Sequence, residues 1–164
     1  MPAFESLYTS FIEGDIVKFK VAISKFKSVD ATEEDEPLVV YLTRILGEDQ
    51  SVGKEEIINF LATAGVNFNV HDSSDRTPLC NLAFNNNLHY FKLLIGLGAN
   101  INYASNANET PIEWAIRSNY SLDVARFIFS NDMYVPPKLG VLANVAKRSG
   151  AKNSVALLKE LKIK

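Results

Sequence analysis

The sequence predicts an all-α solenoid of about five stacked helix pairs. Two recurrences and their common interval predict it. Thr77-Pro78-Leu79 returns as Thr110-Pro111-Ile112, 33 residues later. Gly65-Val66-Asn67-Phe68-Asn69 returns as Gly98-Ala99-Asn100-Ile101-Asn102 at the same interval of 33. The first motif starts a helix and the second ends one, so a single period governs both ends of a helical unit. Self-similarity at such a period marks units that cannot bury their apolar faces alone and must stack.

Taken in order, residues 7–26 read as a first helix pair that turns at Gly14-Asp15. Ile16, Phe19, Ile23 and Phe26 recur at steps of three and four, the spacing of one helix face. Glu33-Glu34-Asp35-Glu36 forms an acidic connector. Glu36-Pro37-Leu38 then opens the second unit, 41 residues before Thr77, eight more than the period. The polar stretch 47–54, which includes Glu48 to Gln50, takes up the excess. A helix over 55–64 follows, marked by Ile57, Ile58 and Leu61.

In the third unit Thr77 caps a helix with its hydroxyl, and Pro78 fits a first turn where its missing N–H is no loss. Leu79, Leu82 and Ala83 line one face. Asn86 sits at the turn, since asparagine tolerates the left-handed conformation. Leu88, Phe91, Leu94 and Ile95 form the buried side of the next helix, and Gly98 ends it. The fourth unit repeats this from Thr110, turns at Asn119 and continues over 124–129. Its closing signature is degraded to Asn131-Asp132-Met133-Tyr134-Val135. Pro136-Pro137 stops it. Residues 138–148 and 153–162 make a last pair around Ser149-Gly150. Its Lys147, Arg148, Lys152, Lys159, Lys162 and Lys164 give the polar outer face that a terminal repeat needs. Phe60, Phe127 and Phe129 belong with Phe91 to the core, and Trp114 divides between core and contact.

The 164 residues fit one domain over 1–164, in approximate repeats 3–35, 36–69, 70–102, 103–135 and 136–164. The net charge of −2, from 19 acids against 17 bases, argues against nucleic acid, which needs a concentrated basic face. No run approaches the length that spans a bilayer. One cysteine, Cys80, excludes an intrachain disulfide, and no secretory leader is evident; the reading is a soluble, cytoplasmic, non-enzymatic chain. No cofactor or metal is expected. His71 and His89 have no second ligand at metal spacing, and His71-Asp72 lacks a nucleophile. Cys80 reads as a small packed hydrophobe.

Residues 77–102 resemble the ankyrin-repeat family without a gap: Thr-Pro-Leu, a turn, a second Leu-rich helix, then Gly-Ala-Asn-Ile-Asn. Residues 110–135 resemble it less closely. The resemblance implies that connectors 70–76 and 103–109 project as loop tips and that the first helix of each pair lines the binding side. It places Ser73, Ser74, Asp75, Arg76, Tyr103, Ser105, Asn106 and Asn108 on the tips. Phe84, Asn85, Arg117 and Ser118 fall beside them at the helix turns. Asp75 and Asn108 stand where the family has glycine. The implied function is a protein-binding module that masks a partner, such as an inhibitor or toxin-neutralising immunity protein, monomeric when free. The alternative is a self-associating scaffold. The acids of 33–36 and 48–50 fit a basic partner or a solvated connector.

Overall fold

A computed structural model describes residues 2–30, 32–33, 36–47, 51–104, 109–118, 122–137 and 140–161. Among these residues there are ten helices in five consecutive pairs: α1 (Pro2–Glu13) and α2 (Ile16–Ile23), α3 (Leu38–Leu46) and α4 (Val52–Thr63), α5 (Pro78–Phe84) and α6 (Leu88–Gly96), α7 (Pro111–Arg117) and α8 (Asp123–Phe129), α9 (Val141–Arg148) and α10 (Lys152–Glu160). Two short segments, β1 (Thr32–Glu33) and β2 (Glu36–Pro37), pair antiparallel across the acidic connector. The sequence alone does not indicate this pairing.

Local chemistry explains the helix boundaries. Thr77 Oγ1 accepts the Cys80 N–H at 3.1 Å, and Asn87 Oδ1 accepts the Tyr90 N–H at 3.2 Å. At Thr110 the glutamate half of a capping box operates, with Glu113 Oε2 accepting from the Thr110 N–H at 2.7 Å and its hydroxyl at 3.2 Å. Asn86 takes φ +52, as its place in the turn requires, and Gly98 takes φ +99 after α6.

The first helices α3, α5, α7 and α9 pack in a row, each against the next. Behind them α6 packs on α8, while α1 and α2 both pack on α4. One core runs through the stack, with Phe11, Phe19, Leu42, Leu61, Tyr90, Phe91, Leu94, Ile116 and Ile128 completely buried. Phe60, Phe127 and Phe129 pack against it half-buried.

Polar side chains link each unit to the next. Asp30 Oδ1 accepts the Asn67 N–H at 2.9 Å, Asn69 Oδ1 that of Asn100 at 2.8 Å, and Asn102 Oδ1 that of Val135 at 2.8 Å. The asparagines of the repeated Gly-x-Asn-x-Asn signature therefore serve as rungs between adjacent connectors. On the inner side Asn81 Nδ2 donates to the Val40 carbonyl at 3.0 Å, and Asn87 Nδ2 donates to the Gly47 carbonyl at 2.8 Å.

Two expectations change. The second helix of the second unit starts at Val52 rather than at 55, so the extra residues are only partly loop. The added turn is admitted because Gly53 packs directly on the backbone of the Gly14 turn. Second, Pro37 rather than Glu36 is the N-cap of α3, and so stands where Thr77 and Thr110 stand. Proline has no hydroxyl to mark it as a cap, and the Pro-Leu dipeptide draws the alignment one residue early.

The two ends differ. Lys147, Arg148, Lys152 and Lys159 are exposed at the C-terminal pair, as a cap requires; Lys162 and Lys164 lie outside the described residues. The N-terminal pair instead exposes Ile12, Val17 and Val21.

Candidate functional site

With Pro37, Thr77 and Thr110 in register as N-caps, three first helices present the same positions side by side. One residue before the cap stand Glu36, Arg76 and Glu109. Four residues after it stand Tyr41, Asn81 and Trp114. Seven after it stand Arg44, Phe84 and Arg117. In α5 every residue before Phe84 is buried, and in α7 only Trp114 and Arg117 remain partly open. Apart from the buried Asn81, these positions are therefore the face that the row of first helices leaves uncovered.

The outer two rows share one design. Arg44 pairs with Glu36 at 2.7 Å and lies over the Tyr41 ring, 5.0 Å from its centroid. Arg117 pairs with Glu109 and lies over the Trp114 ring at 5.5 Å. The stacking and the ion pair together fix each guanidinium plane. The middle row departs from this design: Phe84, 41 % exposed, meets the Trp114 ring edge-on at 6.0 Å. Its arginine, Arg76, comes from the preceding loop tip.

Asp72 organises that tip. It falls within the 70–76 connector that the resemblance makes a projecting tip, but it is buried. One carboxylate oxygen accepts the N–H groups of Ser74 and Arg76, both at 2.9 Å. The other accepts Arg76 Nε at 2.8 Å and pairs with Nη2 at 2.7 Å. Asp75 turns through φ +60, the left-handed geometry expected of a residue in a glycine position. Replacing Asp72 by alanine is expected to cost about 1.5 kcal/mol of stability, because two charge-assisted contacts and two turn hydrogen bonds are lost together. Denaturant unfolding measures this, and exchange of the Ser74 and Arg76 amides should speed up selectively. Unchanged stability and exchange would show that the tip holds without it.

A pocket of about 360 Å³ lies between this tip, α1 and α3, lined by Tyr8, Glu36, Tyr41, Arg44, Asp72, Ser73 and Arg76. Tyr8 stacks on Tyr41 with centroids 3.9 Å apart. Burial pushes the Glu36 carboxyl above its usual range, and Arg44 pulls it part of the way back. Glu36 Oε1 is buried without a hydrogen-bond partner among the described residues.

The expected site residues are thus partly assembled. Ser73 and Arg76 line the pocket; Phe84 and Arg117 flank Trp114. Ser74 and Asp75 shape the tip, and Asn85 caps α5 through its N–H to Asn81. Tyr103 is half-buried, its N–H bonded to the Asn100 carbonyl at 3.0 Å, and no described contact joins it to the row. Ser105, Asn106 and Asn108 lie outside the described residues, as do Asn119 and 48–50 of the acidic insertion. Ser118 is buried and offers no contact surface. Of the acidic connector, Glu34 and Asp35 also lie outside the described residues, and Glu36 is engaged by Arg44.

Sequence reasoning missed Tyr8, Tyr41, Arg44 and Asp72. A signal for the third row was present: Glu36, Tyr41 and Arg44 have the spacing of Glu109, Trp114 and Arg117. The interrupting insertion and the one-residue error in register hid it.

Elsewhere, burial pushes the Cys80 thiol up to about 11, so it stays protonated at neutral pH. His89 spans two second helices, its Nε2 lying 2.8 Å from Glu55 Oε2. Among the described residues no group of three or more His, Cys, Asp or Glu could hold a metal ion, and no helix is long and apolar enough to cross a membrane.

Residues 50–137 match the family model of ankyrin repeats, in three copies. The matched stretch runs from just before α4 to the end of the connector after α8. No curated protein matches the chain.

Proposed function

The chain belongs to the ankyrin-repeat family, and from that premise we propose that it is a non-enzymatic module whose first-helix face and adjoining loop tips bind and mask another protein. Repeats of this family generally mediate protein–protein interaction. The observation that carries the reading here is the array of aromatic and arginine side chains in register on three successive first helices. Trp, Tyr and Arg are the residue types that dominate interface energetics, and a ring beneath a guanidinium restrains it before a partner arrives. An inhibitor or immunity-type protein is the narrower form of the same reading.

Affinity capture from extract of the source cells tests it. The native protein should retain a stoichiometric partner. Phe84→Ala/Arg117→Ala and Arg76→Ala/Tyr103→Ala should each retain at least about tenfold less, the loss expected of a pair of interface anchors. Full retention by both double variants would remove the face from the interface. If the captured partner is an enzyme or toxin, equimolar addition of the chain should suppress its activity.

A second reading, self-association, is favoured by one observation. The N-terminal pair carries an open groove of about 570 Å³ lined by Glu5, Glu13, Val17, Lys18, Val21 and Lys25. Sedimentation over a range of concentrations separates the readings, since self-association requires oligomers without a foreign partner.

A further inference from the structure

Three ion pairs lie along the face described above, and all three are oriented alike. Glu36 is 20 % exposed against 37 % for Arg44, Asp72 2 % against 28 % for Arg76, and Glu109 25 % against 33 % for Arg117. In every pair the guanidinium is the more exposed group, by most at Asp72–Arg76 and by least at Glu109–Arg117. The three pairs are neutral in sum, but in each the base is the more exposed partner. Asp72 has its ligands already, accepting two backbone N–H groups besides Arg76, whereas Glu36 Oε1 is buried without a hydrogen-bond partner among the described residues. Arg76 gives both Nε and Nη2 to Asp72, but Arg44 and Arg117 are less engaged. Among the described residues only one N–H-bearing nitrogen of Arg44 and one of Arg117 is engaged, by the paired glutamate. Several guanidinium donors on each remain for a partner. Asp75 lies beside His71 at 3.7 Å on the tip.

Resting on the reading that this face binds protein, we propose that its partner presents an acidic segment, with carboxylates spaced to meet successive arginines and an apolar side chain between them against Phe84. A carboxylate meets prepositioned, planar donors and can form the two-pronged contact that arginine favours. A lysine or arginine from a partner meets guanidinium first, and would have to displace an arginine to reach Glu36 or Glu109. The middle row supplies the apolar part, because Phe84 replaces there the arginine of its neighbours. The net charge of −2 gives no long-range attraction for an acidic partner. Selectivity therefore arises at contact and acts on dissociation more than on encounter.

Selection of random peptides of about a dozen residues on the intact protein tests this. The expected consensus places Asp or Glu on both sides of an apolar residue. A selected peptide should bind at least about tenfold more weakly to Arg117→Gln and to Glu36→Gln/Arg44→Gln, which removes both charges of one pair without stranding either. Lys159→Gln, exposed on the second helix α10 and so outside the row of first helices, should bind it unchanged. Circular dichroism confirms that each variant is folded. A Lys- or Arg-rich consensus that still needs Phe84 would overturn the acidic partner and leave the binding face standing. Peptides indifferent to Phe84→Ala and to the arginine variants, or no enrichment at all, would overturn both.

Discussion

Replacing Phe91 by alanine is expected to cost about 3–5 kcal/mol and to split unfolding of the stack into two transitions. Phe91 is fully buried on α6 in the central unit and meets the Phe127 ring edge-on at 6.0 Å. In a quasi-one-dimensional array each unit is stabilised only by its neighbours. A cavity in the middle unit therefore weakens both of its junctions at once. The pairs α1 to α4 and α7 to α10 should then melt separately in denaturant. Phe91→Leu, which keeps most of the volume, should cost only about 1–1.5 kcal/mol and leave one transition. A single sharp transition for Phe91→Ala, shifted by less than the leucine variant, would mean that the units do not depend on one another in this way.

Gly53→Ala reverses the usual sign of a helix substitution. Alanine inside a helix normally gains roughly 1 kcal/mol over glycine. Here the added Cβ would stand 2.2 Å from the Gly14 carbonyl oxygen, 2.9 Å from its carbon and 3.0 Å from its Cα. These are backbone atoms of a turn and cannot rotate aside, so the N-terminal pair must move off α4. The expected loss is about 3 kcal/mol, at the upper end of overpacking costs. Hydrogen exchange should place the damage in α1 and α2. Gly96→Ala is the control, since it lies within α6 and a Cβ there meets nothing within 4 Å. It should gain up to about 1 kcal/mol. If both substitutions stabilise, α4 does not approach the Gly14 turn as closely as described.

Much of the fold was legible because it is written locally. Thr77, Asn86, Gly98 and Asp75 each do what their own side-chain chemistry or backbone freedom allows, without help from distant residues. The rungs were half legible. The paired asparagines after Gly65 and Gly98 were visible as a signature, but Asp30 as the first rung was not, because the first unit has no glycine at the matching place. In the sequence Gly53 falls within the polar stretch 47–54 between two helices. Its real role depends on which backbone packs against it, and nothing within its own window of sequence specifies that.

The candidate site was legible in the parts that the repeat places directly. Phe84 and Arg117 follow from the family resemblance, which places them at the helix turns. Tyr8 belongs to a unit whose sequence has lost the family pattern. Arg44 lies beyond an alignment that slips by one residue.

The chain alone determined the period, the helix pairs and the caps at Thr77 and Thr110, since each follows from propensities acting over a few residues. Tertiary structure alone decided which charges face outward. Arg44, Arg76 and Arg117 are no more hydrophilic than the acids they pair with. Which partner of each pair is the more exposed depends on how the tips and helices pack, as where Asp72 is buried under the N–H groups of Ser74 and Arg76, and no local run of sequence specifies that.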